Sequence, residues 1–225
     1  GNKKIILLSH ALLLNKSSQL PLAQKLASLG YFVVMIDTHG HGDREGSFEQ
    51  TGFLDFSRLY QDAYQTAEDA AVILAELRTR FPHLDNTDIT CIGVSNGANI
   101  AFISGYLLPQ VTRVVSLIGS LDWRGVNRQQ TKASFRMFEQ NPHGDSASFL
   151  ENDIKRYHPR YHYPALTHLP KLLCLNGILD TTMGIAAAMR SFNEIFDIYH
   201  ARRLDNWFCF KKYKKAGHNV TYEMI

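Results

Sequence analysis

Cysteine is scarce: three residues in 225, at positions 91, 174 and 209, too few to build a disulfide framework. Cys91 and Cys174 lie inside apolar runs, which predicts buried free thiols in a reducing compartment. Long apolar runs are missing as well. No stretch approaches the roughly 18 residues that a membrane span needs. Lys3 and Lys4 are followed only by Ile5-Ile6-Leu7-Leu8, too little for the apolar region of a signal peptide. Charge of one sign is also lacking, since 24 Lys and Arg against 21 Asp and Glu leave +3. Lys211, Lys212, Lys214 and Lys215 cluster, but a solvated strand end accounts for them better than a nucleic-acid surface does. The expectation is a cytoplasmic protein with no membrane span and no nucleic-acid partner. Gly1 in place of Met points to a processed or engineered start.

What the chain does have is ordinary globular material, 45% hydrophobic and 20% charged. Its length suits one compact domain with a sizeable core. Residues 4–9 read as a strand apolar enough to be buried on both faces. Ser17, Ser18 and Pro21 signal a helix start, Leu22, Leu26 and Leu29 recur at helical spacing, and Gly30 supplies the stop. Residues 31–37 form a second buried strand, running into a glycine-rich loop over 38–46. An amphipathic pattern through Leu59, Ala63, Ala67, Ala70, Leu74 and Leu77 predicts a helix over about 54–81, closed by Pro82. Further strands are predicted at 88–94, 111–118, 171–175 and 207–213, with a helix over 98–108. Alternating strands and helices imply βαβ units, and therefore a mostly parallel, doubly wound sheet flanked by helices. The interval 121–169, rich in His, Tyr, Arg and Pro, has no strand pattern. It is expected to be a lid or cap inserted into a single domain spanning 1–225.

Gly93-Val94-Ser95-Asn96-Gly97 fits G-x-S-x-G, with a strand entering and a helix leaving. That setting is what a nucleophile elbow requires: a serine on a tight turn, with glycines on either side allowing the chain to double back. The turn also aims the backbone N–H of Asn96 at the place where an oxyanion would form. The bland alternative is a glycine-lined turn carrying an incidental serine. A serine hydroxyl needs a base to take its proton and a carboxylate to orient that base. Such partners follow later strands in the order Ser, Asp, His. Asp180 fits, after a strand and Gly177; the lesser alternative is that it caps a helix beginning near Thr181. His218 fits, beyond the last strand and Gly217, although it is one of ten histidines. Asp122, beyond the fourth strand, is the second candidate for the acid.

With these segments the chain resembles the α/β-hydrolase superfamily, and within it the bacterial dienelactone-hydrolase-like and prolyl-oligopeptidase-like serine esterases. The resemblance is carried by residues 9–16, 37–44, 93–97, 175–180 and 217–224, in the same order and over almost the whole chain. It implies an α/β-hydrolase fold and a Ser95, Asp180, His218 triad. That family usually places His-Gly and then a second oxyanion donor after its first buried strand. The corresponding pair here is His10-Ala11, so the resemblance makes the N–H of Leu12 that donor. Alanine adopts positive φ less freely than glycine, which bears on that half of the oxyanion hole. The family also implies a hairpin before the first parallel strand and a helix after His218. Little chain precedes Lys4 and the sequence stops at Ile225, which leaves a shortened chain or a minimal core.

The function this implies is carboxylic ester hydrolysis through an acyl-enzyme on Ser95. The expected substrate is a small to medium ester, with no cofactor and no metal. A peptidase or acyltransferase on the same triad, and an inactive binding protein on the same fold, stay open, as do a monomer and a homodimer. An acid would be wanted at position 95 for a dehalogenase. His39, His41 and Asp43 could hold a metal, but a structural Gly-His-Gly loop is the simpler expectation. His10 is expected to bond to the backbone. Phe135, Phe138, Tyr157, Tyr161 and Tyr163 could line an acyl pocket or form the lid's own small core.

Overall fold

The computed structural model describes residues 3–44, 46–47, 50, 58–122, 152, 154–182 and 184–224. Its centre is a sheet of six strands: β1 (Lys3–Ser9), β2 (Phe32–Ile36), β3 (Leu84–Val94), β4 (Val111–Leu117), β5 (Lys171–Gly177) and β6 (Phe208–Tyr213). Every pairing is parallel, in the order β2-β1-β3-β4-β5-β6. The chain therefore goes from β1 outward to β2, then returns across β1 to place β3. Connections leave the carboxyl ends of β1 and β3 in opposite directions, opening the crevice in which such sheets bind ligands. His10 and Ser95 are the first residues beyond those two ends.

The near-continuous apolar strands exist because both faces are covered. Ile5 and Leu7 join one layer with Ala70 and Leu74, Ala101 and Phe102, and Phe192, Ile195 and Tyr199. Those partners come from α2 (Leu59–Arg80), α3 (Gly97–Leu107) and α5 (Ile185–Ala201). Ile6 and Leu8, one residue out of phase, meet Ala23, Leu22 and Leu26 of α1 (Leu20–Ser28) on the opposite face. Burying each large apolar side chain stabilises the fold by about 1.5–3 kcal/mol, so a one-residue register slip would be expensive. Helix α3 has buried residues on all sides from Gly97 to Gly105, as befits the element that directly follows the serine.

The strand predicted at 88–94 begins earlier, at Leu84. Leu84 and Asp85 pair with Lys3 and Lys4, after which the register slips before Ile6. Asn86 and Thr87 have no partner on β1 at this break, and Asp85 Oδ1 accepts the Thr87 N–H at 3.0 Å, so the polar run reads as a turn and hides the two pairs that precede it. Within the expected insertion, 154–157 are helical, α4 covers Pro159–His162, and Tyr163–Ala165 form a 3-10 turn. Tyr163 is fully buried, and its hydroxyl donates to the Phe102 carbonyl at 3.1 Å. Tyr157 is also buried, between α2 and α3, whereas Tyr161 is exposed. Tyr157 and Tyr163 are thus packing residues. Phe135 and Phe138 lie outside the described residues. His158 donates from Nε2 to the Leu121 carbonyl at 2.8 Å, fastening the end of this stretch to its start. Among the described residues no helix is long and apolar enough to cross a membrane.

All three cysteines are free, with Cys91 and Cys174 buried and Cys209 exposed on the edge strand β6. Burial pushes the Cys91 thiol up to about 12 and raises that of Cys174 as well. A thiol reagent such as Ellman's should titrate one group per native chain at neutral pH and three in denaturant. Rapid reaction of two or three groups in the native protein would contradict the packing described.

Candidate active site

Ser95 lies between β3 and α3 with φ at 53°, in the left-handed region that a serine enters at a cost of about 1–2 kcal/mol. Hydrogen bonds hold it there. Its N–H donates to the Leu117 carbonyl at 2.8 Å, and its own carbonyl accepts from Ala98 at 3.0 Å. The flanking glycines are steric necessities. A Cβ on Gly93 would lie 2.0 Å from the Gly97 carbonyl oxygen, and one on Gly97 would lie 2.5 Å from that of Ser9. The turn can fold against the end of β1 only without those side chains.

Two further loops converge on the serine. Gly177, at the end of β5, packs so closely that a Cβ would lie 2.2 Å from the Ala216 carbonyl. Leu179 N–H bonds that same carbonyl at 3.0 Å, and Ile178 N–H bonds Tyr213 at 2.9 Å. These contacts fix the β5 loop, which carries Asp180, against the β6 loop, which carries His218. His218 Nε2 stands 2.9 Å from Ser95 Oγ, and its Nδ1 stands 2.9 Å from Asp180 Oδ2. Asp180 Oδ1 accepts the Thr182 N–H at 2.9 Å, a local turn bond that leaves Oδ2 for His218. Helix α5 starts only at Ile185 behind Gly184, so Asp180 is not its cap. The Asp180 side chain is 1% exposed and that of His218 24%, which places a buried carboxylate behind an imidazole reachable from solvent. Asp122 pairs with Arg190 at 2.9 Å; the carboxylate beside His218 is Asp180.

Asn96 immediately precedes α3, so its backbone N–H lies at the amino end of that helix, where such groups lack intrahelical acceptors. Its side chain is engaged elsewhere, accepting from Asn99 Nδ2 at 3.0 Å. Leu12 sits in the loop after β1, next to Leu13, whose φ is 60°. The left-handed residue of this loop is therefore Leu13, and Ala11 is not among the residues with positive φ. Alanine in place of glycine imposes no backbone strain at position 11.

The same loop is bound to the loop after β2 at three points. Thr38 N–H donates to His10 Nε2 at 3.0 Å, while His10 Nδ1 donates to the Ala11 carbonyl at 2.8 Å. Leu13 N–H donates to His41 Nε2 at 3.2 Å, and His41 Nδ1 donates to the His39 carbonyl at 3.0 Å. Lys16 donates from both its N–H and its Nζ to the Asp37 carboxylate, each at 2.6 Å. His39 Nε2 meets Asp69 at 2.9 Å, and Asp43 pairs with Lys16. The nitrogens and carboxylates weighed as metal ligands are thus occupied by protein partners. Among the described residues no group of three or more His, Cys, Asp or Glu is placed to hold a metal ion. Asp37 and Lys16 were not legible as a pair from sequence. The one signal is Gly42, where a Cβ would lie 2.3 Å from the Asp37 carboxyl carbon.

The sequence matches the model of the prolyl oligopeptidase family over residues 18–224. No curated protein matches it. Among solved structures, the chain is similar to TT1662 from Thermus thermophilus, with TM-score 0.70 and 21% identity over 100% of this chain and 85% of that one. Acylaminoacyl peptidase from Pyrococcus horikoshii superposes with TM-score 0.71 and 15% identity, over 99% of this chain but 34% of the peptidase, so this chain spans about a third of that enzyme. The Pyrococcus furiosus esterase Pf2001 gives TM-score 0.67 and 15% identity over 97% and 74% of the two chains. At these identities the structural likenesses speak for the α/β-hydrolase fold.

The Asp37 clamp has a definite pH signature. Burial raises its carboxyl, but the hydrogen bonds from Lys16 and Asp43 outweigh that and leave it below its ordinary 3.8. A lowered native value stabilises the fold above the ordinary pKa and ceases to do so as pH falls through the native one. Asp37→Asn should therefore cost about 1–3 kcal/mol at neutral pH. The gap to wild type in thermal or urea unfolding should stay flat down to about pH 5 and close below 3.8. A gap that persists undiminished in acid would contradict this.

Proposed function

The chain belongs to the prolyl oligopeptidase family and is a serine hydrolase, and from that premise we propose a carboxylesterase that cleaves small to medium carboxylic esters through an acyl-enzyme on Ser95. The observation that carries this reading is the unbroken hydrogen-bond chain Ser95–His218–Asp180, with both links at 2.9 Å. Ser95 Oγ attacks the ester carbonyl carbon as His218 Nε2 takes its proton. The carbonyl electron pair moves onto oxygen, where the N–H groups of Asn96 and Leu12 receive it. Asp180 holds His218 in the tautomer with hydrogen on Nδ1 and steadies the imidazolium that forms. Collapse breaks the bond to the alcohol oxygen, which leaves with the proton from His218. Water then repeats the sequence on the acyl-enzyme and releases the acid, so the reaction balances with ester and water alone. General base catalysis of this kind supplies about 10²–10⁴ in rate, and an oxyanion donor about 10²–10³.

The preference for an apolar ester rests on two loops at the same edge of the sheet as the serine. Leu13 and Leu14, 48% and 43% exposed, stand on the loop after β1; Ile178 and Leu179, 40% and 61% exposed, stand on the loop that leads to Asp180. Large apolar side chains left in water on two loops at the same sheet edge as the nucleophile suit an acyl or alkyl group that covers them on binding. A peptidase reading draws support from the family and from the acylaminoacyl peptidase likeness. It differs in the leaving group alone.

Hydrolysis of p-nitrophenyl esters from acetate to octanoate separates these readings. Wild type should turn over, with an optimum beyond acetate. Ser95→Ala and His218→Ala should each lower kcat by at least about 10³, and Asp180→Asn by about 10²–10⁴. Faster cleavage of acylaminoacyl p-nitroanilides than of any ester would favour the peptidase. Absence of turnover on both would leave a binding protein on a hydrolase fold.

A further inference from the structure

An oxyanion donor works only if its N–H is held 2.7–3.1 Å from the position the charge will occupy. Tolerances are about 0.5 Å and 10–20°. Ser95 and Asn96 inherit that precision from the packed elbow. Leu12 is held less rigidly: its side chain is half-buried against the cluster of Leu59, Ala63 and Ile100, but the loop that carries it is neither helix nor strand and the two leucines after it are exposed. Leu13 adds a bias away from the observed shape, since a leucine at φ 60° would relax to negative φ if released.

Beyond that packing and the Lys16–Asp37 clamp, the backbone around Leu12 is restrained by hydrogen bonds to two buried histidines. Their rings lie 5.4 Å apart, and each is 1% exposed. Both occupy the same neutral state, donating from Nδ1 to a carbonyl and accepting at Nε2 from a backbone N–H. The peptide between Ala11 and Leu12 is planar and trans, so its carbonyl and its N–H point in opposite directions. The carbonyl end is held by His10 Nδ1 at 2.8 Å and by Leu14 N–H at 3.2 Å. The next peptide is held from its N–H by His41, at 3.2 Å from Leu13. Leu12 is therefore pinned on both sides, and the second pin comes from a different strand connection.

We propose that His41 is a positioning residue for ester hydrolysis: by accepting the Leu13 N–H at Nε2, it keeps Leu13 left-handed and the Leu12 N–H aimed at the oxyanion. This rests on the reading of Leu12 as an oxyanion donor under the proposed function. It gives a part in the reaction to the Gly-His-Gly loop after β2, a different strand connection from those that carry Ser95 and His218. Because the imidazole acts through a backbone N–H, it should strengthen in effect as charge develops on the substrate oxygen. Its loss should therefore show in kcat and not in KM.

The substitutions His41→Gln, His41→Asn and His41→Phe test this. The amide oxygen of Gln can stand near the place of Nε2, that of the shorter Asn near Nδ1, and Phe keeps the ring while removing both nitrogens. On p-nitrophenyl butyrate, His41→Phe and His41→Asn should lose about 10–100-fold in kcat with KM within about 3-fold, and His41→Gln should recover to within about 5-fold of wild type. Affinity for an alkyl trifluoromethyl ketone, which places an oxyanion in the same hole, should fall in proportion to kcat. In the wild-type protein with that ketone bound, a scalar coupling across the hydrogen bond should link the Leu13 amide nitrogen to His41 Nε2. This last measurement decides the matter even if the variants fail to fold. The proposal is overturned by an absent coupling, by Asn matching Gln, or by a loss confined to KM or to thermal stability. Wild type without Ser95-dependent turnover would overturn the esterase reading itself. A turning-over wild type with an unaffected His41→Phe would overturn this inference alone.

Discussion

A single backbone constraint organises the functional end of the molecule: a serine held at φ 53° at the point where the sheet reverses its winding order. The conformation is unfavourable for any residue with a Cβ, and it survives because the surroundings leave no alternative. Gly93 and Gly97 allow the turn to close, β1 abuts it from one side, and the Leu117 carbonyl of β4 holds its N–H. Release of Ser95 would detach α3 from its start and take with it the core residues Ala101 and Phe102. Strain at the nucleophile is thus maintained by the same packing that stabilises the domain.

The site is assembled entirely from strand ends. His218 lies 123 residues from Ser95 and 38 from Asp180 along the chain, yet both links measure 2.9 Å. Such separations carry a large loop-closure cost, and local propensity cannot meet it. The parallel ladders β3-β4-β5-β6 do so, bringing the three loops to one edge. On the other side of the serine, β1 and β2 bring a fourth and a fifth loop together, and their contact is polar: His10 with Thr38, His41 with Leu13, Lys16 with Asp37. The acid and base are therefore set by close backbone packing, whereas the neighbouring loops are tied by hydrogen bonds that are buried or partly buried. Polar networks of this kind hold one geometry well when every member is satisfied.

Much of this was legible in the sequence, and the reason differs by element. The strands could be read because burial on two faces forces continuous runs such as Ile5-Ile6-Leu7-Leu8. Ser95, Asp180 and His218 could be singled out because a nucleophile elbow demands glycines at fixed offsets and its partners follow later strands in a set order. The start of β3 was hidden because Leu84 and Asp85 pair with β1 ahead of a register break, and the run Asp85-Asn86-Thr87 at that break has the side chains of a turn. Position 13 was hidden for the opposite reason: leucine is a poor candidate for left-handed φ, and the bond to His41 that accompanies it there comes from a distant loop. Tyr163 was readable as lid or pocket, and its place against Phe102 depends on how the chain returns from residue 121. Contacts between distant loops leave little trace in local pattern.

If Ser95 is a nucleophile activated in place by His218, an electrophile that captures serine hydrolases should label it covalently. The protein should be incubated with a fluorophosphonate near neutral pH, digested, and its peptides mapped by mass spectrometry. One adduct per chain is expected, on Ser95 within the segment 93–97, formed quickly and suppressed by a competing short-chain ester. No adduct, or an adduct on a different serine, would contradict the assignment of this elbow as the seat of the chemistry.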